Sequence, residues 1–228
     1  MTSVGTLNEK PLHAALKRAY AEPGDRLEVA VERYVVDIMR GPQIIEIQTR
    51  NFAALKAKLT ALLERYDVLL VTPVAVEKRI VKLPKDDEPA PPARRSPKHG
   101  TMVDVFDELV SFPHLVAHPR FSLEVALISE EEVRRWDPTR AWRRRGWVTD
   151  HRRLVSIVDR VRIEGAVDLA NLIPAELPEP FTTADLAGTL GRPRRLAQRM
   201  AYCLRVVDAI VPVGKSGNAL RYARAEPG

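Results

Sequence analysis

Asp37, Glu46 and Gln48 sit at a spacing that two neighbouring β-strands can bring to one face. The segment from Tyr34 to Thr49, YVVDIMRGPQIIEIQT, has two alternating arms rich in Val and Ile around Arg40-Gly41-Pro42-Gln43, the composition of a β-hairpin and its turn. With Gly41 and Pro42 as a two-residue loop, Arg40 faces Gln43, Met39 faces Ile44, Ile38 faces Ile45 and Asp37 faces Glu46. Gln48, two residues on, shares the face of Glu46. A three-residue loop would instead set Asp37 against Ile45 or Ile47. Like charges directly opposite each other destabilise a sheet. A hard divalent cation compensates them, since Mg²⁺ takes one or two carboxylates and fills its shell with water and phosphate oxygens. The plain alternative is a solvent-facing strand on which these three residues are only the polar half of the alternation.

The surrounding pattern supplies elements to hold such a pair. Residues 7–22 read as a helix with Asn8 as N-cap, Pro11 in the first turn and Leu12, Ala15, Leu16 and Ala19 as its buried stripe. A strand from Leu27 to Val31 precedes the hairpin. A second amphipathic helix follows from Asn51 to Tyr66, with Phe52, Leu55, Leu59, Leu62, Leu63 and Tyr66 on one face. Asp67 and the apolar run VLLVTPV then read as a fourth strand, buried on both sides.

The order α, β, β, β, α, β, with D-x8-E-x-Q across the second and third strands, resembles the core of the PD-(D/E)XK nuclease superfamily over roughly residues 7–75. The resemblance implies a restriction-endonuclease-like α/β fold and phosphodiester hydrolysis with Mg²⁺ or Mn²⁺. It also implies Asp37 and Glu46 as metal ligands, with the Ile47 carbonyl beside the same ion and Glu9 as the extra acid of the first helix. Glu9 reads equally well as a first-turn acid favoured by the helix dipole. Gln48 departs from the pattern, which has Lys there; an amide orients water only through neutral hydrogen bonds. Some active restriction enzymes of the superfamily carry Gln at that position, so the change does not by itself imply loss of activity. Lys56 and Lys58 flank the buried stripe of the second helix, and either can bring an ammonium toward the site. Arg40 and Arg50 lie near the ends of the hairpin arms, where they serve as strand-end charges or as contacts to the flanking DNA backbone; for Arg40 the former is expected.

Charge is distributed unevenly. Residues 1–133 carry 18 Lys and Arg against 20 Asp and Glu, and residues 134–228 carry 18 against 10, so net charges of −2 and +8 make up the total of +6. A basic C-terminal part is expected of a protein that meets phosphate there, although a solvated basic face needs no polyanion. From Phe181 the chain reads as two helices and a hairpin. Thr182 or Thr183 caps the first helix, with Asp185 completing a capping box on Thr182. Leu190-Gly191-Arg192 makes the turn, and Pro193 opens the second helix. Leu196, Met200, Cys203 and Leu204 form that helix's buried side, leaving Arg194, Arg195, Gln198, Arg199 and Arg205 outward. The strands AIVPV and ALRYA enclose a turn over residues 214–218. With a first helix at Val167 to Leu172, this resembles a winged helix-turn-helix domain, which implies the second helix in the DNA major groove and the wing on neighbouring phosphates. The DNA contacts so implied are Arg194, Arg195, Gln198, Arg199, Lys215 and Arg221. Winged helices also serve as protein-interaction modules.

Between these patterns, residues 84–99 are rich in Pro and charge and read as a flexible insertion. A helix from Val103 to Val110 and a strand from Phe121 are expected to complete the first domain. Residues 134–165 read as a basic connector, with Trp136, Trp142 and Trp147 interleaved among Arg134, Arg135, Arg140, Arg143, Arg144, Arg145, Arg152 and Arg153. Such aromatics stack on unpaired bases or pack at a domain boundary while the arginines snorkel outward.

Cys203 is the sole cysteine, which excludes intramolecular disulfides and zinc-finger spacing and suits a reducing cytoplasm. His13, His99, His114, His118 and His151 make no recognised ligand pair, and no nucleotide-binding glycine pattern is present. No small-molecule cofactor, secretory signal or membrane span is expected. The sequence therefore predicts a nuclease-like domain at 1–133, the connector, and a winged helix at 166–228. The expected activity is metal-dependent DNA cleavage; the rivals are a DNA-binding protein with a degenerate core and a partner-docking adaptor. A homodimer is compatible with cleavage, since one metal site cuts one strand.

Overall fold

The computed structural model describes residues 10–85, 88–139 and 146–225. Helix α1 (Pro11–Tyr20) starts at its proline, whose missing N–H costs nothing in a first turn. Strands β1 (Arg26–Val31), β2 (Tyr34–Arg40) and β3 (Gln43–Ile47) follow as an antiparallel meander. The β2–β3 loop is the expected two-residue Gly41-Pro42 turn, with Arg40 paired to Gln43, Met39 to Ile44 and Ile38 to Ile45. A 3-10 turn (Phe52–Leu55) leads into α2 (Lys56–Leu63), which buries Leu59, Leu62 and Leu63. Strand β4 (Asp67–Lys82) then returns parallel to β3.

Beyond this point the strands are far longer than the sequence suggested. β4 pairs in parallel with β6 (Phe121–Trp136), and β6 pairs antiparallel with β7 (Trp147–Ile163). The sheet order is β1-β2-β3-β4-β6-β7. Residues 147–163, expected within a connector, are therefore an edge strand of the sheet: charges such as Arg152 pair across to β6, so apolar periodicity is missing although pairing runs the length of the strand through three register shifts. Trp136 and Trp147 meet edge to face, with ring centroids 5.5 Å apart, and Lys82 and Lys85 lie over their rings. Those two rings thus pack on each other and under lysines at the ends of β6 and β7, closer to the packing alternative than to base stacking; Trp142 and residues 140–145 lie outside the described residues.

The segment expected as a flexible insertion at 84–99 also joins the sheet. Its β5 (Arg94–Arg95) pairs with Arg79 and Ile80 of β4, where the shorter β3 has ended and left an edge to cover. Ser96 and Gly100 continue this strap through bonds to the Lys78 and Ala75 carbonyls. The short α3 (Phe106–Leu109) follows, preceded by a 3-10 turn at Met102–Val105 with a Thr101–Asp104 capping box.

After β7 come α4 (Ala166–Ala170), α5 (Thr183–Leu190), α6 (Arg194–Val206) and a hairpin of β8 (Ile210–Ser216) and β9 (Ala219–Arg224). Thr182 and Asp185 form the expected capping box. The hairpin turn is shorter than expected, closing at Gly217 and Asn218, with Gly217 at φ 59°. Phe181 adds a bridge to Tyr222.

The sheet has two apolar faces. On one, Leu12 and Leu16 of α1 cover Ile38, Ile45, Ile47, Leu69, Val71, Ala126 and Ile128. On the other, a single buried cluster runs from Ile44, Leu70 and Leu123 through α2 and α3 to Leu196, Met200 and Leu204 of α6. The C-terminal helices thus share a core with the sheet. Among the described residues no helix is long and apolar enough to cross a membrane.

Candidate active site

Glu46 is the penultimate residue of β3 and projects to the α2 face, beside Ile44. It is 3% exposed. Lys58, on the first turn of α2, places its ammonium 2.6 Å from Glu46 Oε2 and 2.6 Å from the Val35 carbonyl. Lys56, the other lysine weighed from the sequence, is exposed. Glu46 Oε1 is buried and has no hydrogen-bond partner among the described residues. Burial is the main reason its pKa is pushed up to about 7; the Asp37 charge adds to this, while Lys58 and the Asp37 amide oppose it.

Asp37 lies next to this group without a ladder partner on β3. Pairing of β2 with β3 ends at Ile38 and Ile45, and beyond it Asp37 Oδ2 accepts the Ile47 N–H at 2.8 Å. The register is the expected one, but a side chain takes the place of the last backbone contact. Because the Gln48 N–H points the other way, to the Val71 carbonyl at 2.8 Å, the Ile47 carbonyl is turned toward β2 with its N–H. His13 of α1 brings Nε2 to 3.3 Å from Asp37 Oδ2. Burial works to raise the Asp37 pKa, but His13, the Ile47 N–H and the Lys58 charge outweigh it and hold the carboxyl below its ordinary value.

The two carboxylates are therefore driven apart in titration, Asp37 down and Glu46 up. Perturbation of this kind is common where carboxylates do chemistry. The pair stands at the C-terminal end of β3, the end of a parallel strand at which α/β sheets bind ligands. The orphaned Glu46 Oε1 and the carbonyl turned to the same edge suit a hard cation, which takes two carboxylates and completes its shell with water. Against this, no group of three His, Cys, Asp or Glu occurs among the described residues, and one Glu46 oxygen is taken by Lys58.

Gln48 turns its side-chain amide to the Asn51 carbonyl at 3.1 Å, tying the turn into α2. Glu9 and Asn8 lie outside the described residues. Arg40 is a strand-end charge held by Asp25, Glu22 and the Tyr20 carbonyl, as expected. Two participants were not assigned from sequence: His13 carries no motif, and Lys58 was one of two equivalent lysines.

In the C-terminal part Arg194, Arg195 and Gln198 are exposed on α6, and Lys215 is exposed on β8. With Arg194 and Gln198, Tyr202 and Arg205 complete one outward stripe at helical spacing. Arg199 is half-buried and bound by Asp107 at 2.6 Å, so it ties α6 to α3. Arg221 reaches the Pro180 carbonyl at 3.5 Å. Burial pushes the Cys203 thiol up to about 12, which leaves it unreactive.

A family model described as a domain of unknown function, DUF8091, matches residues 10–164. The chain belongs to this family. The DUF8091 match begins just before α1 and ends one residue after β7, so it contains Asp37, Glu46 and Lys58 and leaves α4 to β9 outside. An uncharacterized protein of Treponema pallidum (strain Nichols) is 29% identical over 229 residues, covering 99% of this chain and 89% of its own. No solved structure matches the chain.

Proposed function

We propose that this protein is a divalent-metal-dependent DNA endonuclease whose C-terminal helices and hairpin hold the DNA. The observation that carries this reading is the buried Glu46 carboxylate at the end of β3, held by Lys58 and raised in pKa by burial and the nearby Asp37 charge, with one oxygen left unsatisfied. Asp37 and Glu46, with the Ile47 carbonyl, would hold Mg²⁺ or Mn²⁺. Bound there, the ion supplies an acidified water and neutralises charge on the scissile phosphate. Lys58 is the cation that position 48 lacks. Its ammonium enters from α2 rather than from β3 and would stabilise charge developing on the phosphoryl oxygens. His13 orients Asp37 and keeps it ionised.

The order α4, α5, α6, β8, β9, with the Phe181–Tyr222 bridge, supports reading residues 166–228 as a winged helix. Its DNA face is the α6 stripe of Arg194, Gln198, Tyr202 and Arg205 together with Lys215. Arg195 and Arg199 lie on α6 off that stripe, and Arg221 lies on β9 of the hairpin.

A second reading has its own observation. Lys58 already balances Glu46, and Gln48 is spent on Asn51, so a DNA-binding protein without catalysis is also consistent. A plasmid-nicking assay with Mg²⁺ or Mn²⁺ separates the two. The first predicts nicking by the wild type that Asp37→Ala, Glu46→Ala and Lys58→Met each abolish; the second predicts DNA binding with no nicking in any of them.

A further inference from the structure

A cleft of about 950 Å³ opens between the strap at 97–100, the arms of β4, β6 and β7, and the first turns of α6. Lys78, Lys98, Arg152, Arg192, Arg195 and Arg199 all line it. The acids of its walls are spoken for. Asp104 holds Arg192, Asp107 holds Arg199, and Glu108 accepts the Phe52 N–H.

Glu130, 0% exposed, lies between Lys78 at 2.9 Å and Arg152 at 3.5 Å, and neither of its oxygens has an aligned hydrogen bond among the described residues. A buried carboxylate held by charge alone is a poor stability device. It does fix where its two cations stand. Among the described residues, the other hydrogen bond of Arg152 is a 3.5 Å contact to the Thr49 carbonyl, so a mostly buried guanidinium with five donors has donors left over. Burial, with Arg50 nearby, holds its pKa below the ordinary value despite the charges of Glu130 and Glu132, a strain that a further anion relieves. At the rim Lys98 and Arg195 are exposed, and no described carboxylate lies within ion-pair reach of either.

We propose that this cleft is a phosphate-binding site for a single nucleic-acid strand, with Lys98, Arg195 and Arg152 on its phosphates. The inference rests on the nucleic-acid reading above and assigns a second contact surface, separate from the α6 stripe. Its volume is at the upper end for a ligand pocket and accommodates a few nucleotides rather than a duplex. Thr49 in its wall lies three residues beyond Glu46, so a strand held here runs by the end of β3.

The test titrates the full chain, with chelator to prevent cleavage, into labelled single-stranded and duplex DNA of roughly twelve nucleotides. Lys98→Glu combined with Arg195→Glu is expected to weaken single-strand binding about tenfold or more. It should also flatten the logarithmic salt dependence by roughly 1.4, two cations at roughly 0.7 each. Arg152→Gln is expected to weaken the single strand too, while Arg194→Ala with Gln198→Ala weakens only the duplex. Unchanged single-strand affinity in both cleft variants overturns the cleft site and leaves the proposed function standing. Failure of the wild type to bind either DNA overturns both. Displacement of the single strand by inorganic phosphate at equal phosphate concentration assigns a free phosphate ligand and overturns the strand.

Discussion

The Lys58 ammonium bridges the Glu46 carboxylate and the Val35 carbonyl, 2.6 Å from each, and so joins α2 to the ends of β2 and β3. This contact is a charge pair only while Glu46 is ionised. With the Glu46 pKa near 7, the pair is strong at pH 8 and largely discharged at pH 5. Lys58→Met is therefore expected to destabilise by about 2–3 kcal/mol at pH 8 and by less than about 1 kcal/mol at pH 5. Urea unfolding at the two pH values measures this.

Glu46 itself leaves a signature in the pH profile. Its folded pKa of about 7 lies above the ordinary value of 4.5, so the native state binds the extra proton between them. Stability of the wild type then falls as pH rises through that window, by about 3 kcal/mol for a shift of this size. Glu46→Gln removes that component, so the stability difference, wild type minus variant, should fall by about that amount between pH 4 and pH 8. Parallel denaturation curves across the range provide the comparison.

Asp37→Asn separates charge from structure. The amide oxygen still accepts the Ile47 N–H, so the fold should lose only about 1 kcal/mol near neutral pH. In the wild type the depressed Asp37 pKa contributes stability above the ordinary carboxylate range, lost as pH falls through the folded value; the variant lacks this acid-side loss. Removing the Asp37 charge also lowers the Glu46 pKa from about 7. Thermal melts at pH 3 and pH 7, with nicking assays beside them, are expected to show a folded, inactive protein.

Gly100 holds the strap that carries Lys98. Its N–H bonds the Ala75 carbonyl, and a Cβ at this position would stand 2.6 Å from that same oxygen and 2.8 Å from Val74 Cγ1. Backbone cannot yield as a flexible side chain does, so Gly100→Ala should cost about 1–3 kcal/mol by denaturant unfolding.

The meander, its two-residue turn and the pairing of Ile38 with Ile45 were legible because alternation and turn chemistry are local. So were the Thr182–Asp185 cap and the buried side of α6. The length of β6 and β7 was not, because their charges are matched inside the sheet, Glu130 and Glu132 with Lys78 of β4, Glu130 with Arg152 of β7 and Arg134 with Glu132 along β6, and a charged run without apolar period reads as a loop. The choice of Lys58 over Lys56 depends on which side of the first turn of α2 faces Glu46. The cleft assembles residues from widely separated segments, from Thr49 to Arg199, and no window of sequence contains it. Arg199 reads as a free helix-face cation until Asp107 of α3 is brought against it.

The proposed activity requires that Asp37 and Glu46 share a divalent ion. Titration of the full chain with Mn²⁺, followed by electron paramagnetic resonance of the free ion, measures this without any DNA. One bound Mn²⁺ in the wild type at pH 8, lost in both Asp37→Ala and Glu46→Ala, is the predicted result. No bound ion in the wild type, or one that survives both substitutions, would contradict it.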